Sequence, residues 1–391
     1  MPGKKEKEEK TCIYKEVWGE KLCGRPLYDD EYCIFHSEDI ERKKAEFNDK
    51  FWSEFESQNE HEDNYNFEGF VFPGDISFNR KIFEKQVSFT LATFYGKAFF
   101  RQAKFSREAD FEIVKFFGDA DFVGAQFSGR TFFRQTKFSG EADFRYAKFF
   151  SEMSLFEYAI FSEKTNFLEA QFSKNAIFKE ANLKRANFER ANLQGADLRG
   201  ANLNRANLQE ADLQGAHLQN SDLQRANLRG ANFEDCNVLQ AKYNRRGRYQ
   251  GIKLTNCSGS PRFVRTAKDQ EYIEELRSSK FRFYTIYLPW LILADCGRSL
   301  LLWASWALSM ALFFAWKFFS MGPGAFTITN LKFSFETMVY YSVVTFTTLG
   351  FGDVTPNTVE ASSWVMAEVV LGYIMLGGLI SILANKLARR S

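Results

Sequence analysis

The sequence predicts a chain of two unlike parts, a four-sided solenoid of short strands followed by an α-helical membrane domain. Three observations predict it. An apolar residue recurs every five or six positions across 67–245. Two later runs, 299–319 and 364–384, are apolar enough and long enough to cross a bilayer. Between them a short apolar stretch runs into a segment punctuated by glycine at 350 and 352.

At 391 residues the chain has room for two or three domains. Its formal net charge of +2 sets up no global field toward nucleic acid. Its 44 Phe against 7 Pro is a bias that points to a repeat. The stretch 1–10 is rich in Lys and Glu with no apolar run behind it, so no secretory signal is expected. The N-terminal part is then expected in the cytoplasm, where disulfides are rare. The six cysteines are accordingly read as thiols or metal ligands, with the scattered Cys236, Cys257 and Cys296 inert.

From Ala181 the text runs ANLKR ANFER ANLQG ADLRG ANLNR, with a period of five. The central residue is Leu or Phe at 183, 188, 193 and onward to Phe233, with Val238 and Tyr243 closing the series. A small residue, nearly always Ala, stands two positions before each centre. Upstream, centres from Phe67 to Phe149 alternate steps of five and six, and one step of seven, Phe149 to Phe156, predicts a bulge. Neither the helical period of 3.6 nor the strand period of 2 fits. A coil whose four sides each bury one apolar and one small residue does fit, and stacked coils then share a continuous core.

The Ala-Asn/Asp-Leu signature resembles the pentapeptide-repeat family over 67–245. The resemblance implies a right-handed quadrilateral β-helix of about eight coils, roughly 40 Å long. Acid and base nearly balance across it, which excludes the acidic surface that DNA mimicry by members of that family requires. The expected role is a rigid scaffold or docking module for a cytoplasmic protein partner. His217 replaces Asn/Asp in one repeat and reads as a surface substitution.

Cys12, Cys23, Cys33 and His36 cluster near the N-terminus, within 1–45. Four such ligands in a short cytoplasmic segment suit structural tetrahedral Zn²⁺. The alternative is a small hydrophobic knot with free thiols. Carboxylates at Asp29, Asp30, Glu31, Glu38 and Asp39 argue against a nucleic-acid role. Phe47, Phe51 and Phe55 recur at helical spacing within 46–66, as expected of a helix capping the open solenoid.

Over 246–289 the repeat is expected to give way to a linker. Arg277, Lys280 and Arg282 with Tyr272, Ile273, Leu276, Phe281 and Phe283 suit a helix lying on the membrane surface, or an ordinary soluble linker helix.

The membrane part is placed at 290–391. Arg277, Lys280, Arg282 and Arg298 precede the first span, and Lys386, Arg389 and Arg390 follow the second. The positive-inside rule puts both ends on the cytoplasmic side of a plasma (inner) membrane. The segment between the spans then faces out. There a short helix, 335–347, leads into Thr347, Thr348, Leu349, Gly350, Phe351, Gly352 and Asp353. Non-helical backbone at that depth is tolerated where it lines a cavity, and alternating glycine permits unusual dihedrals.

This segment and the flanking spans resemble the two-transmembrane potassium-channel family over 284–391. The resemblance implies a C4 homotetramer whose filter holds K⁺ in rings of backbone carbonyls, with the Thr348 hydroxyl adding the innermost ring. Leu349 and Phe351 replace the family's usual Val and Tyr. Tyr340 stands thirteen before Asp353, where the family often carries a Trp that bonds to this Asp, and its hydroxyl can reach the carboxylate. Gly372 falls at the hinge-glycine position, and Leu376, Ile380 and Ala384 would line the inner pore. Glu368, ionisable within a span, is expected behind the filter, bonded to the pore helix; a residue snorkelling to the rim is the other reading. No voltage-sensing helix rich in basic residues occurs.

The function read from the sequence is a tetrameric channel subunit conducting potassium, with the β-helix as regulatory or docking module. A weakly selective cation channel and a membrane-anchored scaffold with a non-conducting pore are the alternatives. No enzyme is expected: with three His, no phosphate-binding glycine loop and no outstanding carboxylate pair, nothing suggests catalysis.

Overall fold

The structure, a computed structural model, describes residues 11–16, 22–151, 153–173, 176–294 and 299–388. The stretch 1–10, Cys296, Arg298, Arg389 and Arg390 lie outside the described residues. The chain divides into two compact units, Met1–Glu274 and Glu275–Ser391.

In the first unit the repeat is a four-sided β-helix. Each side is a parallel sheet of very short strands, such as Val71–Phe72, Thr93–Phe94, Lys115–Phe116 and Lys137–Phe138. Val71 pairs with Thr93, so a coil in the Phe-rich part takes 22 residues (71 to 93). The step of seven at Phe149 lengthens the next coil, where Thr131 pairs with Ser154. Coils then shorten until Asn182 pairs with Asn202, four pentapeptides on.

Each centre points inward and stacks on the centre one coil away. Phe100 and Phe122 lie 4.7 Å apart and 1° from parallel, as do Phe122 and Phe144. Neighbouring columns meet edge to face, as Phe111 and Phe122 do at 5.6 Å and 89°. Each such pair adds about 0.5–1.5 kcal/mol beyond area burial. Buried Ala such as Ala103, Ala125 and Ala147 leaves room for the rings beside it. Two residues past every second centre in the Phe-rich part, as at Gln102, and past successive centres in the pentapeptide part, as at Gly195, Gly200, Arg185 and Arg205, the chain turns with positive φ. The Asn/Asp before the centre supports the turn by accepting a backbone N–H two residues on, as Asn192 does from Gln194 at 3.1 Å.

Both ends are covered. Helix α1 (Ile40–Lys43) leads into α2 (Phe47–His61). Phe51 sits 5.2 Å from both Phe67 and Phe72, and Phe55 6.0 Å from Phe83. The first sheet edge is also paired, since Gln58 accepts from Asn66 N at 2.8 Å and donates to Asn66 O at 3.2 Å. An amide side chain thus stands in for a neighbouring strand. Lys85 Nζ reaches the α2 C-terminus, donating to Asn59 O and Glu62 O at 2.6 Å each.

At the other end the boundary expected at 245 moves. Bridges continue through Arg248, Lys253 and Ser258. The step from Tyr243 to Tyr249 is six rather than five, so the repeat looks broken in the text while Tyr249 is fully buried. Helix α3 (Pro261–Ser278) then caps this end instead of forming part of a linker. Phe263 packs on Tyr243 and Phe233. Glu274 accepts from Tyr249 N (2.9 Å) and Gln250 N (3.3 Å), and Glu271 from Gly251 N (3.0 Å). These carboxylates satisfy last-coil amides that have no further coil to bond.

The second unit continues with α4 (Lys280–Arg282), a π-helical turn (Phe283–Tyr287), α5 (Leu288–Ala294), α6 (Leu300–Ser320), α7 (Phe335–Phe346) and α8 (Val359–Ala388). Leu300–Ser320 and Val359–Ala384 are long and apolar enough to cross a membrane. Ser299 caps α6, accepting from Leu302 N at 3.0 Å, and Ser334 caps α7, accepting from Thr337 N at 3.2 Å. An antiparallel pair, Phe326–Ile328 with Val354–Pro356, ties the chain before α7 to the chain just after Asp353.

Candidate functional site

Helix α7 ends at Thr347, whose N–H bonds Val343 O at 3.0 Å and whose hydroxyl bonds the same carbonyl at 2.7 Å. Leu349 N still reaches back to Val344 O at 2.9 Å. From there the backbone alternates. Thr348 (φ 61°), Gly350 (φ 50°) and Gly352 (φ 77°) are left-handed, while Leu349 and Phe351 are not. Backbone of alternating hand can direct successive carbonyls to one side of a chain, which is what a path that replaces a cation's water with oxygen needs. The glycines signal two of these positions. Thr348 carries no such signal, because a β-branched residue rarely adopts positive φ.

Leu349 and Phe351 are 61% and 65% exposed. Tyr340 interacts with the Asp353 carboxylate. The Asp353 carbonyl accepts from Thr329 N (3.1 Å) and Thr329 Oγ1 (3.0 Å), which fastens the end of the segment to the loop that precedes α7. Thr329 had no signal in the sequence.

Behind the segment, Glu368 on α8 is fully buried. The Ser342 hydroxyl on α7 hydrogen-bonds both Glu368 Oε1 and the Ala311 carbonyl of α6, the latter at 2.7 Å. One side chain therefore ties all three helices. Gly372 lies against the end of α7, where an added Cβ would come within 2.2 Å of Phe346 O. Leu376, Ile380 and Ala384 form an exposed stripe on α8. Met375 and Ile382, on another face, pack with Trp303 of α6.

In the first unit, Cys12, Cys23, Cys33 and His36 converge, with their ligand atoms all within 4.8 Å of one another. Backbone pairing brings in the first two: Cys12 N donates to Arg25 O and Cys23 N to Tyr14 O, each at 2.9 Å. A tight turn, with His36 N and Ser37 N both donating to Cys33 O, brings in the other two. Arg25 Nη1 donates to Cys23 Sγ at 3.3 Å, and its Nη2 donates to Glu54 at 2.7 Å. Hydrogen bonds with Cys33, then His36 and Arg25, hold the Cys23 thiol far below its ordinary value against the opposing effect of burial. The remaining described cysteines do not join the cluster. Cys236 fills an Ala slot in the coil core, donating to Leu213 O at 2.9 Å, and burial pushes its thiol up; Cys257 is half-buried and burial pushes it up to about 11. His217 is exposed on the coil surface, bridged between Asp197 and Asn237.

Residues 165–205 and 201–238 match the pentapeptide-repeat family model, with eight copies. Residues 290–389 match the ion-channel family model. No curated protein matches the chain. Among solved structures, trypsin-treated QnrB1, a plasmid-mediated fluoroquinolone resistance protein, is 19% identical over 53% of this chain and 95% of that one, with a TM-score of 0.32. A pentapeptide repeat protein from the Arabidopsis thaliana thylakoid lumen is 32% identical over 25% of this chain and 67% of that one, with a TM-score of 0.21. The pentapeptide repeat protein Rfr23 from the cyanobacterium Cyanothece 51142 is 30% identical over 23% and 60%, with a TM-score of 0.14. Pentapeptide repeats and an ion-channel domain are thus joined in one chain.

Proposed function

We propose that this chain, which joins pentapeptide repeats to an ion-channel domain in the membrane, is one subunit of a homotetrameric potassium channel. Four copies of Thr348–Asp353 meet on one axis and replace the water shell of K⁺ with carbonyl oxygen. The observation that carries this reading is the alternating backbone hand at Thr348, Gly350 and Gly352. A merely structural loop has no need of three left-handed residues spaced two apart.

Two further features support a tetramer. Leu349 and Phe351 present large apolar side chains with little cover from their own subunit, as does the α8 stripe of Leu376 and Ile380. Neighbouring subunits would cover the first pair, and a water-filled inner pore would face the second. Both termini and the β-helix are assigned to the cytoplasmic side by the basic residues flanking the spans. The β-helix serves as a rigid regulatory or docking module.

Reversal potentials of the purified protein in liposomes under opposed K⁺ and Na⁺ gradients test the reading. A potential near the K⁺ equilibrium value is expected. A potential near zero would replace potassium selectivity with general cation conduction, and no current at all would leave the membrane unit a scaffold.

A further inference from the structure

We propose that Cys12, Cys23, Cys33 and His36 bind one structural Zn²⁺, and that this ion clasps the N-terminal segment onto the first coil of the β-helix. Three of the six distances between the donor atoms match edges of a tetrahedron drawn around zinc, and all six are within 4.8 Å. With Zn–S about 2.3 Å and Zn–N about 2.05 Å, tetrahedral edges are about 3.8 Å for S–S and about 3.6 Å for S–N. Cys23 Sγ and Cys33 Sγ lie 3.8 Å apart. His36 Nδ1 lies 3.5 Å from Cys12 Sγ and 3.4 Å from Cys33 Sγ.

The histidine is held in the form a metal requires. His36 Nε2 is 3.0 Å from the Glu68 carbonyl, which can only accept, so Nε2 carries the proton and the Nδ1 lone pair faces the sulfurs. A second hydrogen bond of this kind fixes tautomer and ring orientation in metal-ligating histidines. Three thiolates and a neutral imidazole around Zn²⁺ leave one net negative charge. The Arg25 guanidinium, shared with Glu54, donates to Cys23 Sγ beside it. Four protein ligands leave no open position for substrate or water, which makes the ion structural rather than catalytic.

The clasp follows from what the ligands touch. Among the described residues, 11–39 contain no helix, and their backbone bridges are two isolated pairs, Thr11 with Pro26 and Lys15 with Leu22. The contacts of the cluster run directly into the β-helix. His36 bonds Glu68 O, Phe35 O accepts from Val71 N at 2.8 Å, and Phe35 stacks on Phe70 at 4.6 Å. Tyr14, stacked on the His36 ring at 3.9 Å, lies over Gly69 so closely that a Cβ there would come within 2.3 Å of it. An ion that joins Cys12 and Cys23 to the Cys33–His36 turn therefore fixes two loops to the first coil at once.

The test uses the full-length protein purified in detergent without added metal. Elemental analysis is expected to give one zinc per subunit, and Co²⁺ exchange the visible bands of tetrahedral cobalt with a thiolate charge-transfer band. A Cys33→Ser variant should lose the metal and a Cys236→Ala variant should keep it. To separate loss of metal from misfolding of the variant, the parent protein is also stripped with a strong chelator and followed by hydrogen exchange. Amides of 11–16, 22–37 and 64–72 should lose protection and regain it when Zn²⁺ is returned. Sub-stoichiometric zinc with reactive thiols, or a Cys23–Cys33 disulfide, would overturn the site. Loss of zinc with unchanged exchange would overturn the clasp.

Discussion

The Trp303 indole lies against Gly378 so closely that a Cβ on the glycine would come within 2.2 Å of Cζ2, while Trp303 Nε1 donates to Met375 O at 3.0 Å. The hydrogen bond fixes the ring and the glycine admits it, so α6 and α8 meet at backbone distance, as small residues permit between helices in a membrane. Gly378→Ala should destabilise the membrane unit by about 1–3 kcal/mol through overpacking. Combining it with Trp303→Leu should recover part of the loss, visible as non-additive shifts in thermal unfolding in detergent. Gly372→Ala differs, because its obstacle is the Phe346 carbonyl rather than a side chain. No side-chain change at 346 should rescue it, and its defect should also reach conduction, since Phe346 ends the helix that leads into Thr348–Asp353, the proposed filter.

Thr348 gives a sharper separation of strain from function. Its left-handed backbone costs about 1–2 kcal/mol for a residue with a Cβ. Thr348→Gly should therefore leave the membrane unit as stable as the parent or more so. The same change removes the hydroxyl proposed as the innermost oxygen ring, and K⁺ over Na⁺ permeability should fall. Thr348→Ser should retain selectivity. Stability is read by thermal unfolding and selectivity by reversal potential. Equal selectivity in the Gly and Ser variants would remove Thr348 from the ion path.

In the β-helix, Asn207 is the middle of a side-chain ladder. It donates to Asn187 Oδ1 at 2.9 Å, and its own Oδ1 accepts from Asn227 Nδ2 at 2.8 Å and from Gln209 N at 3.3 Å. Asn207→Ala leaves several partly buried partners unpaired and should cost about 1–3 kcal/mol. Asn207→Asp keeps the acceptor and loses the donor, so it should fall between parent and Ala. Apparent Tm of the β-helix measures the order. An Ala variant as stable as the parent would reduce the ladder to decoration.

How much of this was legible depended on whether a residue type signals its own geometry. Phe and Leu at fixed intervals announced the columns, and Gly350 with Gly352 announced unusual backbone. The coil through Tyr249 was hidden by a single six-residue step, after which Arg248, Lys253 and Ser258 carry the bridges without the Asn/Asp that marks them elsewhere. Helix α3 was mistaken for a linker because its capping groups, Glu271 and Glu274, look like ordinary surface charge until the last-coil amides they bond are known. Four ligands at spacings that match no strong motif became one cluster because two backbone bridges and one tight turn fold them together. Pairs such as Trp303 with Gly378 depend on which helices meet, and composition does not carry that.

The last prediction concerns pH. Burial pushes the Asp110 carboxyl up from its ordinary 3.8 to about 6, against the lowering effect of the Glu112 N–H it accepts at 2.8 Å; Glu112 and Glu108 add like charge beside it. The folded state therefore holds this proton more tightly than the unfolded chain does. The stabilisation is fully present below about pH 4 and is lost as pH rises through about 6. At pH 7 the buried charge costs the β-helix about 1–2 kcal/mol after allowance for solvent screening. Asp110→Asn keeps an acceptor for the Glu112 N–H and removes the charge. The variant should unfold at higher temperature than the parent at pH 7, and the difference should shrink steadily toward pH 4. A gain that is constant across that range would mean that something other than this proton sets it.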